Sequence, residues 1–418
     1  MSGWRQALAV YASPRVAAML PLGFAAGLPL LLVFGTLSAW LARLGVEKSA
    51  IGFFSWVGLA YSLKFLWAPL LDRFAPPLFG RWLGRRRGWL LLAQLGVAAG
   101  LWAIAQWRPE DGLWHLALLA FWVAFWSATQ DAVVDALRID SAPEALQGAM
   151  AANYQLGYRL GMIAAGAGAL WIAGTYSWPG AYRAMALAMA VGLATTLAVG
   201  EPAPAARPAR RFSLAALAEP FAEFFARHGR RAAALLALVA LYRFSDVLLG
   251  IMANPFYIDL GFDEVQIAQV TKLYGLALTV LGAYAGGAAV VRWGVAWPLV
   301  LGALLGPGTN LLFAWLALRG PDLGALVAVV SADNFTAGFA GSALIAYASS
   351  LVNRAFSATQ YAVMSSLFTL GGKFVGGFSG LVVDGFGYPA FFLCTALLGL
   401  PGLLLAIRLA PATRRGGG

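Results

Sequence analysis

The sequence predicts an all-α membrane protein with twelve transmembrane helices. Of its 418 residues, 61% are hydrophobic and only 11% are charged, whereas soluble domains average roughly 45–50% apolar and about 25% charged residues. The apolar residues form successive blocks of about 20 residues or more, which is the length that crosses a bilayer as a helix. Lipid offers no water to backbone polar groups, so each block must bond internally as a helix. The alternating segments of about ten residues that typify a β-barrel are not seen in the sequence.

Twelve apolar blocks follow one another along the chain, and we number them α1 to α12. The first six are predicted at residues 16–42, 50–71, 88–107, 112–138, 147–174 and 180–200. The last six are predicted at residues 232–258, 264–291, 295–318, 322–351, 357–384 and 388–409. Gly27 and Pro29 are expected to break or bend α1, which would suit a helix that moves.

The distribution of positive charge orients these helices. With the N-terminus in the cytosol, cytosolic loops and tails hold 19 of the 29 Lys and Arg residues, and the opposite side holds five. This excess agrees with the positive-inside rule and predicts that both termini are cytosolic. The net charge of +11 therefore reflects membrane topology, and nucleic acid is not expected as a partner. The first apolar block is too long for a signal peptide and is predicted to remain as α1.

One long polar segment divides the chain into two halves. The predicted domains are an N-terminal six-helix bundle at 1–200, a cytosolic linker at 201–231, and a C-terminal six-helix bundle with a short tail at 232–418. Similar residues recur between the halves at offsets of 202, 208 and 214, and these pairs are Asp131 with Asp333, Lys64 with Lys272, and Arg159 with Lys373. Two pseudo-symmetric six-helix bundles joined by a cytosolic linker describe the major facilitator architecture.

Charged residues inside the predicted helices mark a candidate transport path. A charge at the bilayer centre costs at least about 2.5–3.5 kcal/mol on insertion scales, so such residues usually face a cavity and act there. The helices that carry them are α2, α4, α5, α7, α8, α10 and α11. Away from their ends, α3, α6, α9 and α12 carry none, and these four helices face lipid in the major facilitator arrangement. The charges are therefore expected to border a central cavity.

Two acids on α4 are the candidates for proton coupling. Asp131, Asp135 and Arg138 are spaced i, i+4 and i+7, so they share one helix face. Neighbouring carboxylates in a poorly solvated site favour binding a proton, which is what proton coupling requires. The alternative is a static ion pair with Arg138, or with Arg159 on α5, that only fixes packing.

The cationic residues are candidates for binding an anionic substrate. Lys64, Lys272 and Lys373 each offer a cationic donor, although a lysine that reaches the membrane interface would be the simpler interpretation, above all for Lys64. Arg159, beside Tyr158, can hold a carboxylate through two parallel hydrogen bonds. Arg243 and Asp246 are spaced i, i+3 on α7, and the sequence leaves open whether they form a gate or a structural pair.

The sequence offers no set of metal ligands and no catalytic residues. Cys394 is the single cysteine, which excludes a disulfide pair and a cysteine-rich metal site. The two histidines, His115 and His228, cannot form a histidine cluster. We therefore expect no cofactor and no enzymatic activity. The expected partners are a small-molecule substrate, protons and membrane lipids, and the protein is expected to be a monomer.

Several strings in both halves carry a resemblance to a known family. They are GFAAGLPLLLVFGTLSAWL (23–41), IGFFSWVGLAYSLKFLWAPLLDRF (51–74), RRRGWLL (85–91), SATQDAVVDALRID (127–140), LGYRLGM (156–162) and FSATQYAVMSSL (356–367). On these strings the chain resembles the AmpG-type muropeptide permeases of the major facilitator superfamily. The resemblance implies proton-driven import of N-acetylglucosaminyl-anhydro-N-acetylmuramic acid, with or without a peptide, across a bacterial inner membrane. It also implies a role in peptidoglycan recycling, and hence in β-lactam resistance.

The resemblance carries over to particular residues. Asp131 and Asp135 resemble the acidic pair of the family, and the matched strings also contain Gly27, Lys64, Gln130, Tyr158 and Arg159. The superfamily pattern G-x-x-x-D-R-x-G-R-R keeps Asp72 and Arg73, but Ala68 replaces the glycine and an insertion precedes the arginines. A gating role for this loop is therefore carried over only weakly. Polar side chains expected to contact a muropeptide are Asn153, Gln155, Asn334 and Gln360.

Other functions remain open at this point. A related permease could carry a siderophore, acetyl-CoA or another anionic small molecule. A membrane enzyme acting on lipid-linked sugars usually has acidic or histidine motifs in sizeable aqueous loops, whereas the loops here are short. A sensor or scaffold would be expected to carry an added soluble domain, which the sequence does not suggest.

Overall fold

The computed structural model is all-helical over the part of the chain that it describes. That part comprises residues 9–44, 46, 57, 59–108, 111–203, 215–262, 264–376 and 379–409. Within it, ten helices are long and apolar enough to cross a membrane. The chain is therefore a multi-pass membrane protein. The segments predicted as α2 and α11 are not among these ten helices.

The first half of the chain, before residue 201, follows the predicted order of helices with several interruptions. A short helix, Pro14–Ala17, precedes α1. The helices are α1 at Met19–Val33 and Gly35–Arg43, α2 at Leu59–Leu63, Lys64–Leu66 (3₁₀) and Ala68–Arg73, α3 at Arg85–Ile104, α4 at Leu113–Ser141, α5 at Glu144–Ile163, Ala164–Gly168 (π) and Ala169–Thr175, and α6 at Trp178–Ala188 and Ala190–Ala198. Most of residues 50–58, the predicted start of α2, lies outside the described residues.

The second half, after residue 231, also follows the predicted order of helices with several interruptions. Its helices are α7 at Ala232–Leu241 and Phe244–Asp259, α8 at Glu264–Ile267, Ala268–Tyr274 (π) and Gly275–Trp293, α9 at Ala296–Arg319, α10 at Leu323–Ser350, α11 at Ser357–Gly376, and α12 within Ser379–Leu409. The last of these is interrupted at Gly387, where φ is 78° and ψ is 169°. A residue at this φ is almost always glycine, so α12 proper begins directly after Gly387, as the sequence predicted.

The expected break in α1 lies at a different residue. The helix continues through Gly27 and Pro29 and ends at Val33, and Phe34 leaves helical geometry with φ −118° and ψ −98°. Gly27 instead permits a close approach of two helices, because a Cβ atom there would lie 2.1 Å from the carbonyl oxygen of Tyr158. The expectation of a break at Gly27 is wrong because this glycine serves packing against α5.

Glycines on both partners bring α1 and α5 into backbone contact. A Cβ atom at Gly23 would lie 2.2 Å from the Tyr154 carbonyl oxygen, and one at Gly157 would lie 1.8 Å from that of Leu20. Membrane helices have no hydrophobic drive toward each other, so they associate through small residues that let backbones approach closely. These glycines therefore fix α5, and with it the side chains that α5 directs inward.

The segment between the halves contains a helix that the sequence did not predict. Ala215–His228, which we call the linker helix, leads through Gly229–Arg231 into α7. We use "linker side" for the end of the bundle at which this helix lies. The helix contacts the start of α11, where the Gln360 amide donates to Glu223 Oε2 at 2.6 Å and Asn353 Nδ2 donates to Glu223 Oε1 at 2.8 Å.

The α1–α5 contact gives a stability prediction. Gly157→Ala should lower the thermal unfolding midpoint of the detergent-purified protein, because the added methyl group meets the α1 backbone. Overpacking of this kind costs about 1–3 kcal/mol and sometimes more. Gly168→Ala on the same helix is the matched control, since no atom lies within 4 Å of an added Cβ there. Equal midpoints for the two variants would contradict the packing described.

Candidate transport cavity and its gate

A cavity of about 510 Å³ lies between the two halves of the chain. Small-molecule sites commonly have volumes of about 300–1,000 Å³. The first half contributes Lys64, Asp131, Asp135, Arg138, Ala151, Tyr154, Gln155, Tyr158, Arg159 and Met162, and the second half contributes Arg243, Gly341, Leu344, Ile345, Tyr361, Ser365 and Phe368. Four cations and two acids share this lining, so the cavity is suited to anionic solutes.

Eight residues singled out from the sequence are brought together at this cavity. They are Lys64, Asp131, Asp135, Arg138, Gln155, Tyr158, Arg159 and Arg243. Lys64 lies in the 3₁₀ segment of α2 and is only 8% exposed. Its position argues against the simpler interpretation of a lysine that reaches the membrane interface.

The two acids on α4 have different partners. Asp135 Oδ1 lies 3.3 Å from Arg138 Nη2, and Arg138 also donates to Gln147 at 2.6 Å. Asp131 Oδ1 accepts a hydrogen bond, also of 3.3 Å, from the uncharged Tyr154 hydroxyl, and it interacts electrostatically with Lys64. The static ion pair that the sequence left open thus involves Asp135, whereas Asp131 has no arginine in salt-bridge contact among the described residues.

The acids of the second half lie behind the cavity wall. Asp246 Oδ2 is 3.7 Å from Arg243 Nε, the local pair that the spacing suggested, but only Arg243 lines the cavity. Asp333 accepts a hydrogen bond of 3.3 Å from Thr309 Oγ1 on α9. Neither acid is in position to touch a solute in the cavity as it stands.

Other predicted contact residues lie outside the cavity lining. Gln130 is fully buried, and both polar atoms of its amide lack a partner among the described residues. Asn153 donates to the Val16 carbonyl at 2.9 Å and accepts from the Tyr284 hydroxyl at 2.6 Å. Asn334 accepts from Thr279 Oγ1 at 2.9 Å. None of these lines the cavity, and neither does Gln360, which bonds to the linker helix.

Two lysines that the sequence suggests as substrate contacts belong to α8 and α11. Lys272 belongs to the π-helical turn Ala268–Tyr274 of α8, and Lys373 belongs to α11. Their side chains lie outside the described residues. Their suggested contacts with an anionic substrate therefore stay predictions.

A buried arginine closes the cavity on the linker side. Arg86 Nη2 is 2.8 Å from Asp72 Oδ1, and Arg86 Nε is 2.8 Å from Asp140 Oδ2. The same guanidinium donates to Ser357 Oγ at 2.6 Å. Asp72 also accepts from the backbone N–H of Thr359 at 2.8 Å. These five residues, which we call the linker-side gate, join α2, α3 and α4 to the start of α11.

Further hydrogen bonds join the two halves on the same side. Arg138 Nη1 donates to Ser349 Oγ at 2.9 Å, and Arg354 Nη2 donates to the Ala142 carbonyl at 3.1 Å. Tyr284 on α8 accepts at its backbone carbonyl from the Tyr11 hydroxyl at 2.8 Å. The structure is therefore closed on the linker side of the cavity.

Sequence reasoning found only part of this gate. Asp72 was a candidate, but Arg73 pairs with Glu219 of the linker helix at 3.8 Å and is not part of the gate. In the sequence, Arg86 is one of the many arginines of the predicted cytosolic loops, and neither it nor Asp140 stands out as a gate residue. The available signal was Asp140 itself, a further acid at the end of the string SATQDAVVDALRID.

Comparisons with known proteins identify the family. The chain is 38% identical to the anhydromuropeptide permease of Escherichia coli K12 over 404 residues, which cover 96% of this chain and 81% of the relative. The chain belongs to the anhydromuropeptide permease (AmpG) family. It is also 35% identical to the putative transporter AmpG 4 of Rickettsia felis, over 93% of this chain and 94% of that protein. A family model described as acetyl-coenzyme A transporter 1 matches residues 16–116 of this permease-family chain.

Solved structures show the fold. The fucose transporter FucP in its outward conformation aligns with a TM-score of 0.69 at 15% identity, covering 94% of this chain and 98% of that one. The human organic anion transporter MFSD10 aligns with a TM-score of 0.65 at 20% identity, covering 97% and 100%. The predicted major facilitator fold is confirmed. Because its AmpG relatives are named as a permease and a transporter, this AmpG-family chain is a transporter and not an enzyme.

Removal of Arg86 should open the linker-side gate. Arg86→Gln leaves the carboxylates of Asp72 and Asp140 buried without their cation, which costs about 3–5 kcal/mol for buried pairs. A cysteine introduced at the cavity residue Ser365, with Cys394→Ala removing the native thiol, should then react faster with a membrane-impermeant maleimide added on the linker side.

Arg81→Gln is the matched control, because Arg81 is exposed and outside the gate. Size-exclusion chromatography would verify that each variant is folded. If Arg86→Gln and Arg81→Gln gave the same labelling rate at Ser365→Cys, the gate assignment would be wrong.

Proposed function

We propose that this chain is a proton-coupled secondary transporter that imports anhydro-muropeptides across a bacterial inner membrane. The cargo would be N-acetylglucosaminyl-anhydro-N-acetylmuramic acid, with or without a peptide, on its way from periplasm to cytosol for peptidoglycan recycling. The observation that carries this proposal is the cavity between the halves, whose lining includes Asp131, Asp135, Lys64 and Arg159. The printed name of the E. coli relative supplies the cargo class.

The proposal includes twelve membrane helices, two six-helix bundles and a monomeric protein. Adding α2 and α11 to the ten long apolar helices gives twelve. Hydrophobic clusters support bundles at 1–200 and 232–418, since one cluster draws only on residues 24–189 and another only on 249–392. With an even number of helices and the observed charge bias, both termini and the linker at 201–231 are cytosolic. The linker-side gate would then be the cytosolic gate.

Each charged group has a proposed task. Asp131 would take up and release the coupling proton, because its hydrogen bond comes from an uncharged tyrosine, whereas Asp135 is in salt-bridge contact with Arg138. Lys64 and Arg159 would bind the anionic cargo. Opening of the gate around Arg86 would then release the proton and the cargo to the cytosol. Lys272 and Lys373 remain proposed contributors from the second half.

A second candidate keeps the mechanism and changes the cargo. The match of residues 16–116 to the acetyl-coenzyme A transporter model favours an acyl-CoA or a similarly anionic small molecule. The cation-rich lining would suit such a solute as well. Competition assays distinguish the two candidates. Uptake of labelled anhydro-muropeptide is measured with unlabelled anhydro-muropeptide or unlabelled acetyl-CoA as the competitor, and only the true cargo should compete at concentrations near its own KM.

Uptake into proteoliposomes tests the proposed function. Labelled anhydro-muropeptide should accumulate when an inward proton gradient is imposed, and accumulation should stop when an ionophore collapses pH gradient and potential together. A potential of 100 mV supplies about 2.3 kcal/mol per elementary charge, which suffices for concentrative uptake. Equal accumulation with and without the gradient would point to facilitated diffusion. No uptake by folded protein would refute the muropeptide assignment.

Asp131→Asn should abolish proton-driven accumulation while leaving membrane insertion intact, because the amide cannot carry a proton through the cycle. Cargo exchange across a membrane without a gradient should persist, since the cavity and its cations remain. Asp384→Asn is the matched control, as Asp384 is exposed and outside the cavity. Accumulation by Asp131→Asn at the wild-type level would exclude Asp131 as the coupling residue.

A further inference from the structure

Two arginines from opposite halves of the chain face the same cavity. Arg159 projects from α5 in the first half, and Arg243 lies at the interruption of α7 in the second half. They are close enough to repel each other electrostatically. Two guanidinium groups are brought together at a cost that a folded protein ordinarily offsets with a carboxylate between them.

The carboxylates that would neutralise this pair are weak or missing. Among the described residues, Arg159 has no hydrogen bond and no ion pair. Arg243 reaches Asp246 only at 3.7 Å, through its buried Nε atom. Its Nη atoms form no hydrogen bond in the described part of the chain, and its side chain is 36% exposed. Asp246 is in addition repelled by Asp333 behind it. The Nη donors of Arg243 and the guanidinium of Arg159 are thus available to a ligand.

A third donor lies at the same place. Gln155 is one helical turn before Arg159 on α5 and also lines the cavity. A Cβ atom built on Gly341 would lie 3.7 Å from Gln155 Nε2 and 3.9 Å from Arg243 Nη1. The amide of one half and the guanidinium of the other therefore both face Gly341, where the missing side chain leaves room for a ligand between them.

We propose that Arg159, Arg243 and Gln155 form a carboxylate clamp that a carboxylate of the cargo bridges from half to half. Arginine is suited to this task because its planar fork binds a carboxylate through two parallel hydrogen bonds. The inference rests on the proposed function and adds the group of the cargo that is recognised. It also assigns Arg243 to binding, where the sequence left only a gate or a structural pair.

The clamp also links binding to the movement of the halves. Without cargo, repulsion between Arg159 and Arg243 keeps the two halves separated at the cavity while the linker-side gate is closed. A bound carboxylate cancels that repulsion and attracts both arginines to itself. A ligand shifts a conformational equilibrium only through different interactions with the two states, and the bridging carboxylate supplies such a difference.

Calorimetric titration of the full-length protein in detergent tests the clamp. The probes are the disaccharide N-acetylglucosaminyl-anhydro-N-acetylmuramic acid, with its free lactyl carboxylate, and the same disaccharide with that group as a carboxamide. The wild-type protein should bind the carboxylate at least tenfold more tightly than the carboxamide. Arg159→Gln and Arg243→Gln should each lose this discrimination, so that the variant protein binds the two probes with about equal affinity.

Arg183→Gln is the matched control, because Arg183 is exposed and outside the cavity, and it should keep the wild-type discrimination. Wild-type protein that binds both probes equally would overturn the clamp and leave the proposed function standing. Wild-type protein that binds neither probe would overturn both. The comparison of the two probes on the wild type needs no variant, so a variant that fails to fold does not remove the test.

Discussion

The closed state depends on one buried cation. Arg86 is 1% exposed and pairs with two carboxylates, Asp72 and Asp140, while donating to Ser357 across the halves. Burying an unpaired charge is far more costly than burying a satisfied ion pair. Separation of α11 from α2 and α3 must therefore break a set of mutually dependent bonds. The energy of that set defines the barrier that cargo and protons have to overcome.

The same cost of burying charge explains how the cavity is built. The helices that border the cavity carry the intramembrane charges. The 3₁₀ turn at Lys64–Leu66 and the π turns in α5 and α8 lie in helices that carry predicted cavity residues, and π turns often mark functional sites.

Local sequence features predicted the helices and much of the cavity. The blocks of apolar residues predicted most helix bounds to within a few residues. The spacing of Asp131, Asp135 and Arg138 predicted a shared helix face, and all three residues line the cavity. The gate was harder to predict because its partners are far apart, with Asp72 and Thr359 separated by 287 positions. Polar residues such as Asn153 and Asn334 look like substrate contacts in sequence, yet in lipid they bond to neighbouring helices. Sequence alone gives polarity but not the direction in which a side chain points.

The central claim is that gate opening follows cargo and proton binding. The most direct measurement is the distance between spin labels on the linker-side residues Arg81 and Arg408, each replaced by cysteine in a Cys394→Ala background and studied by pulsed electron paramagnetic resonance. Both positions are exposed. We expect a single short distance in the absence of cargo, and a longer component when anhydro-muropeptide is added at acidic pH. An unchanged distance distribution under both conditions would contradict the account.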